Sequence, residues 1–226
     1  MANEVQTIAS DPYASYAAKI APQEGAFLGF KTGEWTYGQD GETLEIGTQL
    51  IANIAGLRVG WRRWWSGKLT DDLTELLTDL MATQRQTARR DTLGEMDEGM
   101  WEIGTDGKTR DPWVLTYLLD LATDEGDVYL FSTSSKGGIG AIGKLLKAYA
   151  LEYRQKPGMV PIVELDNDFY MHPVYKKTYF PVFAITGWTN KDKPSTTPQA
   201  AIAPPAKGNG KGKGKVGEDP SDDIPF

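Results

Sequence analysis

Guanidinium and indole groups crowd into one short segment, GWRRWW (Gly60–Trp65). Read as a strand over residues 57–65, it puts Leu57, Val59, Trp61, Arg63 and Trp65 on one face and Arg58, Arg62 and Trp64 on the other, because successive strand side chains point to opposite sides. The first set can cover a core, apart from Arg63. The second alternates a cation with a flat apolar plate, which suits a single strand of nucleic acid. Charge meets the phosphates, and each base stacked on an aromatic ring contributes about 1–3 kcal/mol. The competing reading asks for less: the tryptophans fill a barrel and the arginines stand in water.

A second segment, GGIGAIGK (Gly137–Lys144), satisfies GxGxxG through Gly138, Gly140 and Gly143, and GxxxxGK through Gly138, Gly143 and Lys144. It stands between a strand-like and a helix-like stretch, where phosphate-binding loops stand. A triphosphatase loop needs Ser or Thr after the lysine to hold magnesium, and this chain has Leu145. A dinucleotide fold needs a second βαβ unit, and none is visible. The plain alternative is that small residues let a helix pack closely on a sheet. A weaker functional version keeps TSSKGG as a loop whose N–H groups and Lys136 hold a nucleic-acid phosphate. Lys136 and Lys144 thus join Arg58, Arg62 and Trp64 as candidate nucleic-acid-binding residues.

Catalysis has little to work with. The paired acids Asp71/Asp72, Asp97/Glu98 and Asp124/Glu125 fall where acids are ordinarily solvated, and no Ser-His-Asp arrangement can be assembled around the one histidine, His172. Cysteine is absent, which excludes disulfides, thiol nucleophiles and cysteine-held zinc. We expect no enzyme activity, no catalytic residue, no metal and no cofactor.

The elements that must position these residues read as follows. AFLGFK, TLEIGTQLIANI and LRVGWRRWW have strand character. A polar insertion covers roughly 66–112; in it TDDLTELLTDLMATQRQTARR carries leucines at helical spacing after a cap at Thr70 or Asp71, and EMDEGMWEIGTDGKTRDPW is loop-like. PWVLTYLLDLA is apolar and ambiguous. DVYLFSTS reads as a strand, GIGAIGKLLKAYALEYRQ as a helix with Ile139, Ile142, Leu145, Leu146 and Tyr149 on one stripe, and VPIVELDND and KTYFPVFAITGW as strands. Pro181 marks an edge or a bulge in the last. The fold class expected is mainly β with α insertions: an elaborated oligonucleotide-binding (OB) barrel over residues 1–190, its helix between the third and fourth strands, AFLGFK and TLEIGTQLIANI together forming one bent first strand.

At 226 residues, 40% of them hydrophobic, the chain can bury one sizeable core. A net charge of −7 argues against coating duplex DNA through positive charge, but basic islands at Arg58–Lys68, Arg85–Arg90 and Lys136–Lys147 remain. The N-terminal residues lack a secretory signal pattern, and no apolar run approaches the ~20 residues that span a bilayer. A cytoplasmic protein without membrane association is expected. Residues 191–217 are Pro, Ala, Thr, Gly and Lys with almost nothing large and apolar, the composition of a flexible linker with a reach of roughly 30 Å.

Residues 218–226, EDPSDDIPF, carry four side-chain carboxylates and two prolines and finish on Asp222, Asp223, Ile224, Pro225 and Phe226, an aromatic anchor flanked by charge. Asp222, Asp223, Ile224, Pro225 and Phe226 resemble, residue for residue, the acidic tip of bacterial single-stranded DNA-binding proteins, in which an OB barrel is followed by a Gly/Pro-rich linker. The GEWTYGQDGE…GWRRW…DGKTRDPW…TSSKGG layout looks like phage or prophage replication and recombination proteins. These resemblances imply binding and protection of single-stranded DNA, with the tip docking onto host replication, repair and recombination proteins. The oligomeric state stays open, a homo-oligomer being compatible. The alternatives are an interaction protein that binds no DNA and competes for the clients of such tips, and a nucleotide-dependent enzyme using GGIGAIGK.

Overall fold

The computed structural model describes residues 26–104, 107–173 and 176–190. The expected linker and the tip residues Asp222, Asp223, Ile224, Pro225 and Phe226 lie outside the described residues.

Strands β1 (Ala26–Lys31), β2 (Glu34–Tyr37) and β3 (Glu42–Leu44) form a meander. Strands β4 (Gln49–Ala52) and β5 (Arg58–Trp65) flank a 3-10 turn at Ile54–Gly56, and β6 (Lys68–Leu76) folds back along β5 before a short helix, α1 (Leu77–Ala82). Strands β7 (Glu102–Ile103) and β8 (Thr109–Arg110) make a small separate sheet. Then come β9 (Trp113–Ala122), β10 (Val128–Thr133), the helix α2 (Lys136–Glu152), and a long hairpin of β11 (Met159–His172) and β12 (Lys176–Asn190).

Ten strands belong to one sheet that curls into a half-barrel in the order β12, β11, β4, β9, β10, β1, β2, β3, with β5 also on β9 and β6 on β5. The pairing of β1 with β10 is parallel and the others are antiparallel. Strands β4 and β5 share one edge of β9. Between the pairs Ala52↔Leu121 and Arg58↔Leu118, five residues, Asn53 to Leu57, lie opposite two, Leu119 and Asp120. The surplus is taken up by the 3-10 turn, which Asn53 caps: its side chain accepts from Gly56 N at 3.1 Å. Strands β4 and β5 thus run along β9 as two segments joined by this turn. AFLGFK is a separate strand, a correction to the sequence expectation, because it pairs in parallel with β10 rather than continuing into β4.

Burial explains the rest of the sheet. Leu50, Ala52, Leu119, Leu121, Val163, Leu165 and Phe183 line the concave core, and Ala141, Ile142 and Leu145 of α2 pack into it. Leu146 and Tyr149 pack at its margin, completing the expected stripe except for Ile139, which is half-buried. Trp35, from the β1–β2 hairpin, plugs the core against Phe30, Phe131 and Phe183 with ring centroids 5.0–5.6 Å apart, and donates to the Asp166 carbonyl. Strand β9 buries side chains on both faces, Leu118 and Thr116 on one and Leu119 and Leu121 on the other. A strand covered on both sides has no apolar alternation, which is why PWVLTYLLDLA was ambiguous. Pro181 sits in β12, an edge strand, as a proline must.

The insertion departs from expectation. TDDLTEL is strand, and helix persists only over Leu77–Ala82, with Leu76 rather than Thr70 or Asp71 at its N-terminal cap position. Ser66 and Gly67 take positive φ (50° and 70°), the geometry of a tight hairpin turn, so residues 68–76 are drawn onto β5 instead of propagating a helix. The turn is anchored by Ser66 N–H, which donates to the Glu102 carboxylate at 2.9 Å. No helix among the described residues is long and apolar enough to cross a membrane.

Candidate nucleic-acid interface

The β5 cluster adopts the two faces expected of a strand, and its cations are largely committed to internal partners. Arg62 lies opposite Asp72 across β5 and β6, with Nε 3.2 Å from the carboxylate and only 12% of the side chain exposed. Its guanidinium also lies 5.5 Å from the Trp64 ring centroid. Arg63, on the other face, donates through Nε and Nη2 to Glu95 and through Nη1 to Thr70 and Asp71. These bonds to Glu95 raise the Arg63 pKa above its ordinary value and hold the Glu95 carboxyl below the usual carboxylate range. Glu95 also accepts from Trp113 Nε1 at 3.0 Å, while Arg90 binds Asp111 through two short bonds. Carboxylates of the insertion therefore pair with Arg62 and Arg63 of β5. Arg58 is half-buried, its charge opposing the rise that burial imposes on the Asp120 carboxyl. Trp64, 39% exposed, is the most accessible of the predicted β5 residues.

The glycine segment also resolves. Residues 138–143 lie within α2 rather than in a loop: from Ile139 onward the N–H groups serve helical bonds, and that of Gly138 is taken by the Ser135 cap. The link from β10 to α2 is short, and Ser135 caps the helix by accepting from Gly138 N at 3.0 Å. A Cβ at Gly138 would meet Thr133 Oγ1 at 2.0 Å, and one at Gly137 would meet Phe180 Cβ at 3.0 Å. These two glycines let the helix start directly against β10 and β12. Gly140 and Gly143 face open space.

That close start brings Lys136 and Lys144 to one place. With Gly137, Gly140 and Ala141 they line a pocket of about 410 Å³ whose other wall is Tyr170, His172 and Phe180 of the β11–β12 hairpin. Lys144 Nζ stands 4.8 Å from the Phe180 ring centroid. Strand β4 pairs with β11 over Ile162–Glu164, and Leu165 adds backbone bonds to Thr48 and Gly47; beyond these the distal hairpin extends past the neighbouring strand as a two-stranded arm. Asn167 Nδ2 steadies its root by donating to the Gly33 carbonyl at 2.6 Å. On the arm Phe169 (48% exposed) faces Tyr179, with Lys177 Nζ 4.1 Å and 4.6 Å from the two rings, while Tyr170 (40% exposed) leans towards Phe180 on the other side.

The ribbon thus carries an aromatic pair with cations on each side, Phe169 and Tyr179 with Lys177 and Tyr170 and Phe180 with Lys136 and Lys144, a combination chemically able to stack flat rings and to meet anions. Arg62 and Trp64 of β5 belong to a separate cluster, with the insertion's acids among them. Sequence reasoning missed the arm residues Phe169, Tyr170, Lys177, Tyr179 and Phe180. Their signal is the aromatic pair on each side of a turn, DFY and KKTYF, which register brings together. No group of three or more His, Asp or Glu side chains close enough to hold a metal occurs among the described residues.

No protein-family model, curated protein or solved structure matches this chain.

Proposed function

We propose that this chain binds and protects single-stranded DNA without catalysing a reaction, as a phage or prophage replication or recombination protein. The observation that carries the reading is the arm, with an aromatic pair and cations on each side: Phe169 and Tyr179 with Lys177 on one, Tyr170 and Phe180 with Lys136 and Lys144 of α2 on the other. Aromatic plates need unstacked bases, and a chain of net charge −7 lacks the excess cations for indiscriminate phosphate binding.

The fold reading that goes with it is an OB barrel with additions. β4 with β5, then β9, β10, β11 and β12 are taken as its five strands in chain order, with α2 between the third and fourth. The β1–β3 meander and the 66–112 insertion are the elaborations. On this reading the arm is the loop between strands four and five and the insertion is the loop between strands one and two, the two loops with which OB folds commonly hold oligonucleotides.

The segment Asp222–Phe226 supports a second activity, recruitment of host replication, repair and recombination proteins through an acidic tip ending in an aromatic anchor. The alternative, a protein that competes for those clients and binds no DNA, is favoured by one observation: the arginines of GWRRWW are paired with carboxylates.

A tryptophan-fluorescence titration with oligo-dT and with duplex DNA, repeated across salt concentrations, tests the proposal. Binding to oligo-dT that weakens with salt and exceeds duplex binding is expected. Equal affinities for the two, or none for either, would overturn it.

A further inference from the structure

A second aromatic and cationic cluster lies at the opposite end of α2. Tyr149 and Tyr153 stack at 5.1 Å with their planes 16° apart, and Tyr149 stacks on Trp188 of β12 at 5.6 Å and 29°. Cations stand by both outer rings: Arg154, 5.9 Å from the Tyr153 centroid, donates through Nε to the Tyr153 hydroxyl at 3.3 Å, and Lys156 is 5.4 Å from the Trp188 centroid. One acid is present, Glu152, which accepts from Trp188 Nε1 at 3.0 Å and so fixes the indole's orientation. Only Tyr149 of these rings packs at the margin of the core, and Tyr153 is 38% exposed. A parallel column with an accessible outer ring and a cation beside it is a surface on which another flat ring can stack.

The two clusters share one seam. Helix α2 runs in the same direction as β12, for Gly137 lies against Phe180 at one end and Tyr149 against Trp188 at the other. Gly137 and Tyr149 are twelve residues apart on the helix, about 18 Å, and Phe180 and Trp188 eight apart on the strand, about 26 Å, so the clusters stand roughly 18–26 Å apart. That distance is at most about eight nucleotides at the 3.4 Å spacing of a stacked strand, and fewer if the strand is extended. It falls within the roughly 4–16 nucleotides that one OB-fold occupies.

We infer that Tyr149, Tyr153 and Trp188, with Arg154 and Lys156, form a second base-stacking station, and that a single strand runs from the arm along the seam between α2 and β12 to reach it. This rests on the single-strand reading of the arm and extends it to a face that GWRRWW does not touch. At the station a base extends the column at Tyr153, while Arg154 and Lys156 meet the flanking phosphates.

The test is titration of the full chain with dT20, comparing wild type with Tyr153→Ala, Lys156→Gln and Phe180→Ala, each checked for an unchanged far-ultraviolet circular dichroism spectrum. Tyr153→Ala is expected to weaken binding about 5- to 150-fold, the loss of one stacked base. Lys156→Gln, which removes only a charge from the surface and should not perturb folding, is expected to flatten the log–log salt slope by about 0.7. If both bind dT20 with wild-type affinity and slope, the second station is overturned; a loss in Phe180→Ala alone would leave the arm as the site. If the wild type itself fails to bind dT20, the single-strand reading falls and the station with it.

Discussion

Lys144 Nζ lies 4.8 Å from the ring centroid of Phe180, so a helix cation and an arm aromatic face each other across the same pocket. The two should contribute differently. Phe180→Ala removes a plate and is expected to weaken oligo-dT binding by about 1–3 kcal/mol at any salt concentration. On the proposed single-strand reading Lys144→Gln loses one phosphate contact, and it is expected to lower the salt slope by about 0.7 with a smaller loss at high salt. Titrations of both variants at two salt concentrations separate these effects. Parallel losses in the two would show that the residues act through the shape of the pocket.

The sequence made part of this legible. The alternation in GWRRWW is local, so the sharing of faces by Arg62 with Trp64 and by Arg63 with Trp65 could be read directly. That Arg62 would be paired with Asp72 could not, since it depends on a hairpin register set by the Ser66–Gly67 turn. The same turn defeated the helix reading of TDDLTELL. Leu69, Leu73, Leu76 and Leu80 sit at helical spacing, yet Leu69 and Leu73 lie opposite Trp64 and Trp61 in a strand pair. Cross-strand partners outweigh propensity in such a segment. The arm was hidden for a similar reason: DFY and KKTYF are unremarkable alone, and only pairing across the turn puts Phe169 beside Tyr179.

The glycines of α2 divide into two kinds. Gly138 is buried, and a Cβ there would sit 2.0 Å from Thr133 Oγ1. Gly138→Ala must push the helix start away from β10, and a loss of about 1–3 kcal/mol in thermal or urea unfolding is expected. Gly143 faces open space inside the same helix, so Gly143→Ala is expected to stabilise by about 0.5–1 kcal/mol. Equal destabilisation by both would mean that Gly143 has a neighbour too.

Acid should loosen the insertion. Bonds from Arg63, helped by Trp113, hold the folded Glu95 carboxyl below its ordinary value of 4.5. A carboxyl whose pKa is lower in the folded chain contributes stability above the unfolded value, and that contribution disappears as pH falls through the folded one. Melting midpoints should therefore drop below about pH 4.5, with Trp113 fluorescence changing in the same range. Glu95→Gln is expected to lower the midpoint at pH 7 and to narrow its difference from the midpoint at pH 3. An unchanged difference in that variant would assign the acid sensitivity to other carboxylates.

Deleting Asp222–Phe226 should separate recruitment from grip. The segment carries two carboxylates and one large aromatic, so its affinity for a partner rests on very few groups, and in so small an interface a buried aromatic anchor dominates. Phe226→Ala alone is expected to reproduce most of the loss of docking to host replication, repair and recombination enzymes, while oligo-dT affinity and the melting midpoint stay near those of the intact chain. The check pairs affinity capture of those named enzyme classes with oligo-dT titrations of the intact, truncated and Phe226→Ala proteins. Undiminished capture by the truncated chain would remove the tip from the functional account and leave the arm and the seam beside α2 to carry it.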